Sequence, residues 1–205
     1  SKVNDFARAF GMMTIKQLPL KMIYVLLILA WVAYFLIHSL LALNLVKEFF
    51  KKKLQTKFHL YRLAYTILSS LGLSGLLFLN GSISAVPFFE SKGLVRYVSL
   101  MLATFGVFVI NAAFRQYKLK SFLGLSEEEE VFSANGILNK VRHPIYSGTI
   151  LIVSGFFFFS PNLPTLISVC CIFIYLIIGI KLEERKLIQK FGDEYREYKK
   201  RVPML

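Results

Sequence analysis

The chain has little charge and even less acid. Only 18% of its 205 residues are charged, and 12 acidic side chains face 25 basic ones, a formal net charge of +13. Cysteine is also scarce. Cys170 and Cys171 are the two present and they are adjacent, so no disulfide framework is available, and no Cys/His spacing suggests a metal site. They read as small apolar helix residues. The remainder is mostly apolar: 56% hydrophobic residues with a mean hydropathy of +0.57. These residues come in blocks approaching the roughly 20 needed to cross a hydrocarbon core. A soluble domain of this size could not cover so much apolar surface, so the chain is read as an integral membrane protein. The basic residues lie between the apolar blocks, where they set topology and contact anionic head groups; a nucleic-acid partner is not expected.

Hydropathy gives about five spans, near 20–46, 60–80, 94–114, 147–160 and 163–180, within one membrane domain over 1–205. The first block has no small-residue cleavage site and runs through His38, Ser39 and Asn44 into a lysine-rich loop, unlike a cleavable signal. Pro161, Asn162, Leu163 and Pro164 separate the last two blocks and predict a tight turn, hence a helical hairpin. The fourth block is short for a crossing, so its helix either begins earlier, near Pro144, or is shielded by protein. Lys47, Lys51, Lys52, Lys53, Lys57 and Arg62 follow span one; Arg115, Lys118, Lys120, Lys140 and Arg142 follow span three. The positive-inside rule puts these loops and the basic C-terminus in the cytoplasm, although Lys2, Arg8, Lys16 and Lys21 dissent. Ser69, Ser70, Gly72, Ser74, Gly75, Ala103 and Gly106 read as packing faces. Ser126 with Glu129 fits a capping box.

The polar residues that need an explanation gather at one end of the predicted hairpin. Pro144 suits the first turn of a helix. This places His143 and the unpaired N–H groups of that turn where dipole and donors attract a carboxylate. Glu183 and Glu184 continue the last span and suit an ammonium group or ribose hydroxyls. The pair of sites matches a zwitterion such as the amino-acid part of S-adenosylmethionine. Interfacial snorkelling or salt bridging explains the same charges without a ligand.

From Gly136 the chain reads G-x-x-x-x-V-R-H-P-x-Y-x-G, ending at Gly148. After the hairpin come E-E-x-x-L (Glu183, Glu184, Leu187) and F-G-x-x-Y-x-x-Y-x-x-x-V-P (Phe191, Gly192, Tyr195, Tyr198, Val202, Pro203). Over about the last 70 residues this resembles the isoprenylcysteine carboxyl methyltransferase-like superfamily, which includes phospholipid methyltransferases. The front half, with His38-Ser39-Leu40-Leu41-Ala42, Val46-Lys47, Tyr61-Arg62-Leu63, Arg115-Gln116-Tyr117 and Phe122-Leu123-Gly124-Leu125, is similar to the nurim and methanethiol S-methyltransferase group. Ile137-Leu138-Asn139 departs from the aromatic or proline that often follows the loop glycine there.

The resemblance implies an all-α membrane protein with an amphipathic cytoplasmic helix after the hairpin and an S-adenosylmethionine site within about 136–205. His143, Pro144, Tyr146, Gly148, Glu183, Glu184, Tyr195 and Tyr198 would bind the methyl donor, with the tail as a lid; packing explains the aromatics equally well. Arg142 and His143 are the catalytic candidates: either of them, or a lysine, would favour a thiolate, with Arg142 also pairing with a carboxylate of the tail. His38 and Asn111 are the acceptor-side candidates, each also explained by an interhelical hydrogen bond. The acceptor would be a lipid or a small hydrophobic or thiol compound. Two other classes stay open: a membrane reductase using a nicotinamide cofactor, and a non-catalytic nurim-like protein.

Overall fold

The computed structural model describes residues 19–116 and 135–205, and all regular structure among them is helical. The readings of Lys2, Arg8, Lys16, Tyr117, Lys118, Lys120, Phe122 to Leu125 and the Ser126–Glu129 capping box lie outside the described residues. The helices are α1 (Leu20–Ala42), α2 (Asn44–Leu54), α3 (Phe58–Ser82), α4 (Gly93–Gln116), α5 (Pro144–Phe159) and α6 (Leu163–Arg201). Short 3-10 turns cover Gln55–Lys57 and Gly136–Asn139. Four segments are long and apolar enough to cross a membrane: α1, the α2–α3 stretch, α4 and α6. At about 1.5 Å per residue, the 16 residues of α5 reach roughly 24 Å, short of a ~30 Å hydrocarbon core. The protein is an all-α integral membrane protein.

The first span ends earlier than expected. Leu43 is extended (φ −61°, ψ 138°), so α1 stops at Ala42 and α2 starts as a separate lysine-rich helix. The break leaves carbonyls of the last turn without helical partners, and the Tyr61 hydroxyl donates to one of them, Leu41 O, at 2.6 Å. The fourth block does begin at Pro144, which occupies the first helical turn. It is shielded as well, because α5 lies directly on α4. A Cβ on Gly106 would fall 2.5 Å from Gly148 O, and one on Gly155 2.6 Å from Ser99 O. At such a crossing only hydrogen-sized side chains fit. Ala103 and Gly106 therefore form a packing face as expected. Gly72 meets only the Tyr34 ring, and Gly75 meets nothing within 4 Å.

The hairpin turn is built as its sequence suggests. The Asn162 side chain accepts from Thr165 N at 3.0 Å and donates to Ser160 Oγ at 3.0 Å, capping α6. The core holds Ile23, Leu27 and Trp31 of α1, Leu76 of α3, Val153 of α5, and Val169, Ile172 and Leu176 of α6. Within this apolar interior Trp31 Nε1 donates to Ser168 Oγ (2.8 Å), Ser168 Oγ to Asn80 Oδ1 (2.9 Å) and Asn80 Nδ2 to Thr165 Oγ1 (3.2 Å). This chain of bonds ties α1, α3 and α6 together, and it satisfies groups that would be costly to bury unpaired.

Beyond the apolar segment α6 runs on without interruption to Gly192, where φ is 57° and ψ −127°. That backbone strongly favours glycine. The turn redirects the chain so that Tyr195, Tyr198 and Val202 pack with Leu187, Ile188 and Phe191 in a small second core. The amphipathic tail is thus the bent end of α6.

Candidate functional site

The redirected tail returns to the loop that precedes α5. Arg142 N donates to Pro203 O (3.0 Å) and His143 N to Met204 O (3.2 Å), so two backbone donors just before the helix are held by the end of the chain. The Tyr198 hydroxyl donates to Leu138 O at 2.6 Å, and Arg142 Nη1 reaches the carbonyls of Lys199 (3.0 Å) and Val202 (2.5 Å).

Glu184 is the hub of this contact. Its Oε1 accepts from Arg142 Nε (2.9 Å) and Nη2 (2.7 Å) and lies 3.3 Å from His143 Nε2. An ionised carboxylate only accepts, so His143 carries a proton on Nε2 in this arrangement. Oε2 accepts from Lys199 Nζ at 2.6 Å. Burial of Glu184 opposes its ionisation, but the bonds from Lys199, Arg142 and His143 outweigh it and hold the carboxyl at about 2. The side chains of Arg142 and Glu184 are 8% and 10% exposed, whereas that of Lys199 is 41% exposed. The inner half of the cluster is sealed and its outer half opens at the surface.

The other predicted residues fall into distinct places. Glu183 is part-exposed and makes no ion pair among the described residues. Tyr146 meets the His143 ring edge-on, with centroids 5.6 Å apart, and its hydroxyl lies over Gly179, 3.1 Å from where a Cβ would stand. Gly148 sits at the crossing with α4. Tyr195 and Tyr198 are 2% and 3% exposed. Burial, and for Tyr195 the charge of Glu184 next, pushes both phenols upward; they brace the tail from within. Asn111 is exposed on α4.

His38 stands apart from the Glu184 cluster, on α1. Its Nδ1 lies 3.1 Å from Ser69 Oγ, and the Tyr65 hydroxyl is 3.1 Å from Nε2. Ser39 Oγ bonds the Tyr175 hydroxyl at 3.1 Å. Phe35 stacks on Tyr175 with centroids 4.1 Å apart and planes 7° from parallel. Beside these groups is a cavity of about 110 Å³ lined by Tyr34, Ile37, His38, Leu41, Leu68, Ser69 and Gly72. Sequence reading missed Lys199, Tyr65 and Tyr175 and took Ser69 for a packing residue. Tyr61, Tyr65 and Ser69 recur four residues apart on α3, a polar row on an otherwise apolar helix that was a readable signal.

An all-α membrane bundle with a charged cluster clamping its tail to the mouth of the last hairpin is the class that fold and site define. A family model described as NnrU protein matches residues 26–205. The chain belongs to the NnrU family, in the nurim and methanethiol S-methyltransferase branch of the isoprenylcysteine methyltransferase-like superfamily. It is similar to methanethiol S-methyltransferase 1 of Bradyrhizobium diazoefficiens, 49% identical over 67 residues, 32% of this chain and 22% of that protein. The methanethiol S-methyltransferase of Pseudomonas deceptionensis is 27% identical over 62% of this chain and 46% of its own length. Methanethiol S-methyltransferase 2 of B. diazoefficiens is 27% identical over 82% and 67%. The chain spans about half the length of most curated relatives it matches. No solved structure matches it.

Proposed function

We propose that this protein is a membrane methyltransferase that moves a methyl group from S-adenosylmethionine to a thiol. The observation that carries the reading is the ammonium of Lys199 on Glu184 Oε2. This salt bridge supports the reading that the carboxylate, next to the N-terminus of α5, can take a primary ammonium from the exposed side. The donor's ammonium would replace Lys199 there or bind the neighbouring Glu183. Its carboxylate would lie against His143 and the first turn of α5, where helix dipole and N–H groups favour an anion. Arg142, bound to Glu184 and to the tail carbonyls, would keep that geometry fixed, and Tyr146 would line the wall.

S-adenosylmethionine, when held there, would supply an electrophilic methyl on a sulfonium: a thiolate would bond to that carbon as the sulfonium C–S bond breaks, with S-adenosylhomocysteine as the leaving group and the thiol proton passing to water. Such a displacement depends on alignment and a dry site more than on a strong acid or base. Arg142 adds positive charge that would favour the thiolate. The relatives' names supply the acceptor class, a thiol. By the positive-inside rule the donor site faces the cytoplasm.

Calorimetry on the purified protein in nanodiscs tests the reading. S-adenosylhomocysteine should bind, and labelled S-adenosylmethionine with methanethiol should yield labelled dimethyl sulfide. No binding of S-adenosylhomocysteine, with tight binding of NADPH in its place, would overturn it.

A further inference from the structure

On the methyltransferase reading, the acceptor must be held on the membrane side of the donor site. We propose that the cavity between α1 and α3, lined by Tyr34, His38, Ser69 and Gly72, is the acceptor pocket, and that it takes thiols of about one to three carbons.

Size is the first argument. The cavity measures about 110 Å³. An apolar cavity of ~150 Å³ admits benzene, and drug-sized ligands occupy ~300 Å³ or more. A small alkyl thiol fills this space, whereas a prenylated cysteine would have to leave most of its chain outside, past Ile37 and Leu68.

Chemistry is the second argument. The lining is apolar at Ile37, Leu41 and Leu68, and polar where His38 Nδ1 and Ser69 Oγ lie 3.1 Å apart. An apolar wall with a few convergent polar groups suits a molecule with one weakly polar end. Ser69 Oγ, held by His38 Nδ1 at 3.1 Å, would accept the S–H hydrogen and orient the sulfur. Ile37 and Leu68 are about half exposed on the lipid-facing side, so a thiol dissolved in the bilayer has a way in.

Position is the third argument. Ser39 joins α1 to Tyr175 of α6. Tyr175, Gly179 and Glu183 lie four residues apart on one row of α6, climbing roughly 6 Å per step at 1.5 Å per residue. Tyr146, which touches His143, rests on the middle member of that row. Tyr175, beside the cavity, and Glu184 therefore stand at the same end of the bundle, about two and a half turns or roughly 13 Å apart along α6. Gly179 leaves the space that Tyr146 fills, so this ring stands between the two sites.

The test measures thiol size preference and donor binding separately, in the full chain. A Cβ at Gly72 would stand 3.0 Å from the Tyr34 ring, so Gly72→Ala narrows the pocket. It should raise KM for 1-propanethiol about ten-fold, and for methanethiol less than about three-fold, the scale of one methylene in a tight pocket. Leu68→Ala widens the pocket from its lipid-facing side and should lower KM for 1-propanethiol about three-fold or more on the same scale. Both variants should bind S-adenosylhomocysteine as the parent does. Unchanged size preference in both, with donor binding intact, would overturn the pocket and leave the methyltransferase reading standing. Loss of donor binding in Leu68→Ala would make the cavity a support of the fold and overturn the pocket equally. Failure of the parent protein to bind S-adenosylhomocysteine would remove the underlying reading and this assignment with it.

Discussion

Two polar clusters lie on the same three helices, α1, α3 and α6, and they are built on opposite principles. Toward the start of α6, Trp31, Asn80, Thr165 and Ser168 are 0–4% exposed, and they form a continuous chain of hydrogen bonds. Two turns along, His38, Tyr65, Ser69 and Tyr175 are only part-buried, and His38 and Ser69 border a cavity. Phe35 stacks on both Trp31 and Tyr175 and links the two clusters physically. A buried polar network with every partner in place rigidifies a bundle. One beside a cavity still has capacity for a guest. Substitutions in the first should change stability and leave turnover per folded molecule alone; substitutions in the second should do the reverse. The Glu184 cluster lies beyond both and combines the two characters, with a sealed inner face and an open outer one.

The largest effect is expected at Glu184, where the two roles overlap. Glu184→Ala leaves the Arg142 guanidinium nearly buried without its carboxylate. Stranding a buried charge costs about 3–5 kcal/mol, and the tail should detach from residues 136–143. Hydrogen exchange over residues 192–205 should rise steeply and S-adenosylhomocysteine binding should vanish. Glu183→Ala sharpens the contrast. It should weaken donor binding while leaving exchange in the tail unchanged, because Glu183 makes no ion pair there. Fast exchange in Glu183→Ala would show that the two carboxylates share one structural role.

Acid should reproduce part of this loss. The Glu184 carboxyl is held at about 2, against an ordinary 4.5. A carboxyl whose folded value is depressed stabilises fully above its unfolded value, and it loses that contribution as pH falls through its folded value. The stabilisation, about 3 kcal/mol for such a shift, should persist down to about pH 4.5 and disappear toward pH 2. Tail hydrogen exchange, corrected for intrinsic rates, should accelerate across that window in the parent protein. It should be flat there in Glu184→Gln, which cannot titrate. An equal acceleration in Glu184→Gln would assign the transition to another group.

What could be read in the sequence was local. Pro144 at a helix start, the tight turn over 161–164 and the continuation of Glu183 and Glu184 from the last span all rest on neighbours within a few residues. Partners across the fold were not readable in the same way. Lys199 reaches Glu184 only because Gly192 reverses the chain between them, and no periodicity carries through a residue at φ 57°. Gly148 sits inside a motif that resembles a donor-binding signature, yet the structure puts it at the α4 crossing, because the identity of the facing residue, Gly106, decides its role. His38 stood out as a polar residue near a helix end. Tyr65, Ser69 and Tyr175, which give it a setting, come from two other helices. Packing alone brings them together.

Gly192→Ala tests whether that reversal is needed, with a smaller expected effect than either change at Glu184. A non-glycine residue at this backbone costs about 1–3 kcal/mol, enough to loosen the second core but not to strand Arg142. Donor affinity should fall modestly while thiol size preference stays fixed, since the α1–α3 cavity does not touch the tail.

The finest test returns to the two clusters. Asn80→Ala removes the acceptor of Ser168 and a donor to Thr165 in the closed network. Hydrogen bonds between membrane helices contribute about 0.6 kcal/mol on average and up to ~1.7, so stability should drop by about 1 kcal/mol. KM for small thiols should not move. His38→Phe keeps an aromatic ring against Tyr34 and Tyr65 while removing both ring nitrogens. Stability should change by less than about 0.5 kcal/mol, as the lost bonds are part-exposed, while turnover of methanethiol should fall. Measuring both variants by thermal unfolding in nanodiscs and by thiol kinetics gives a two-by-two comparison. If Asn80→Ala alters KM as much as His38→Phe does, the clusters act as one unit, and the stacked Phe35 between them becomes the residue to substitute next.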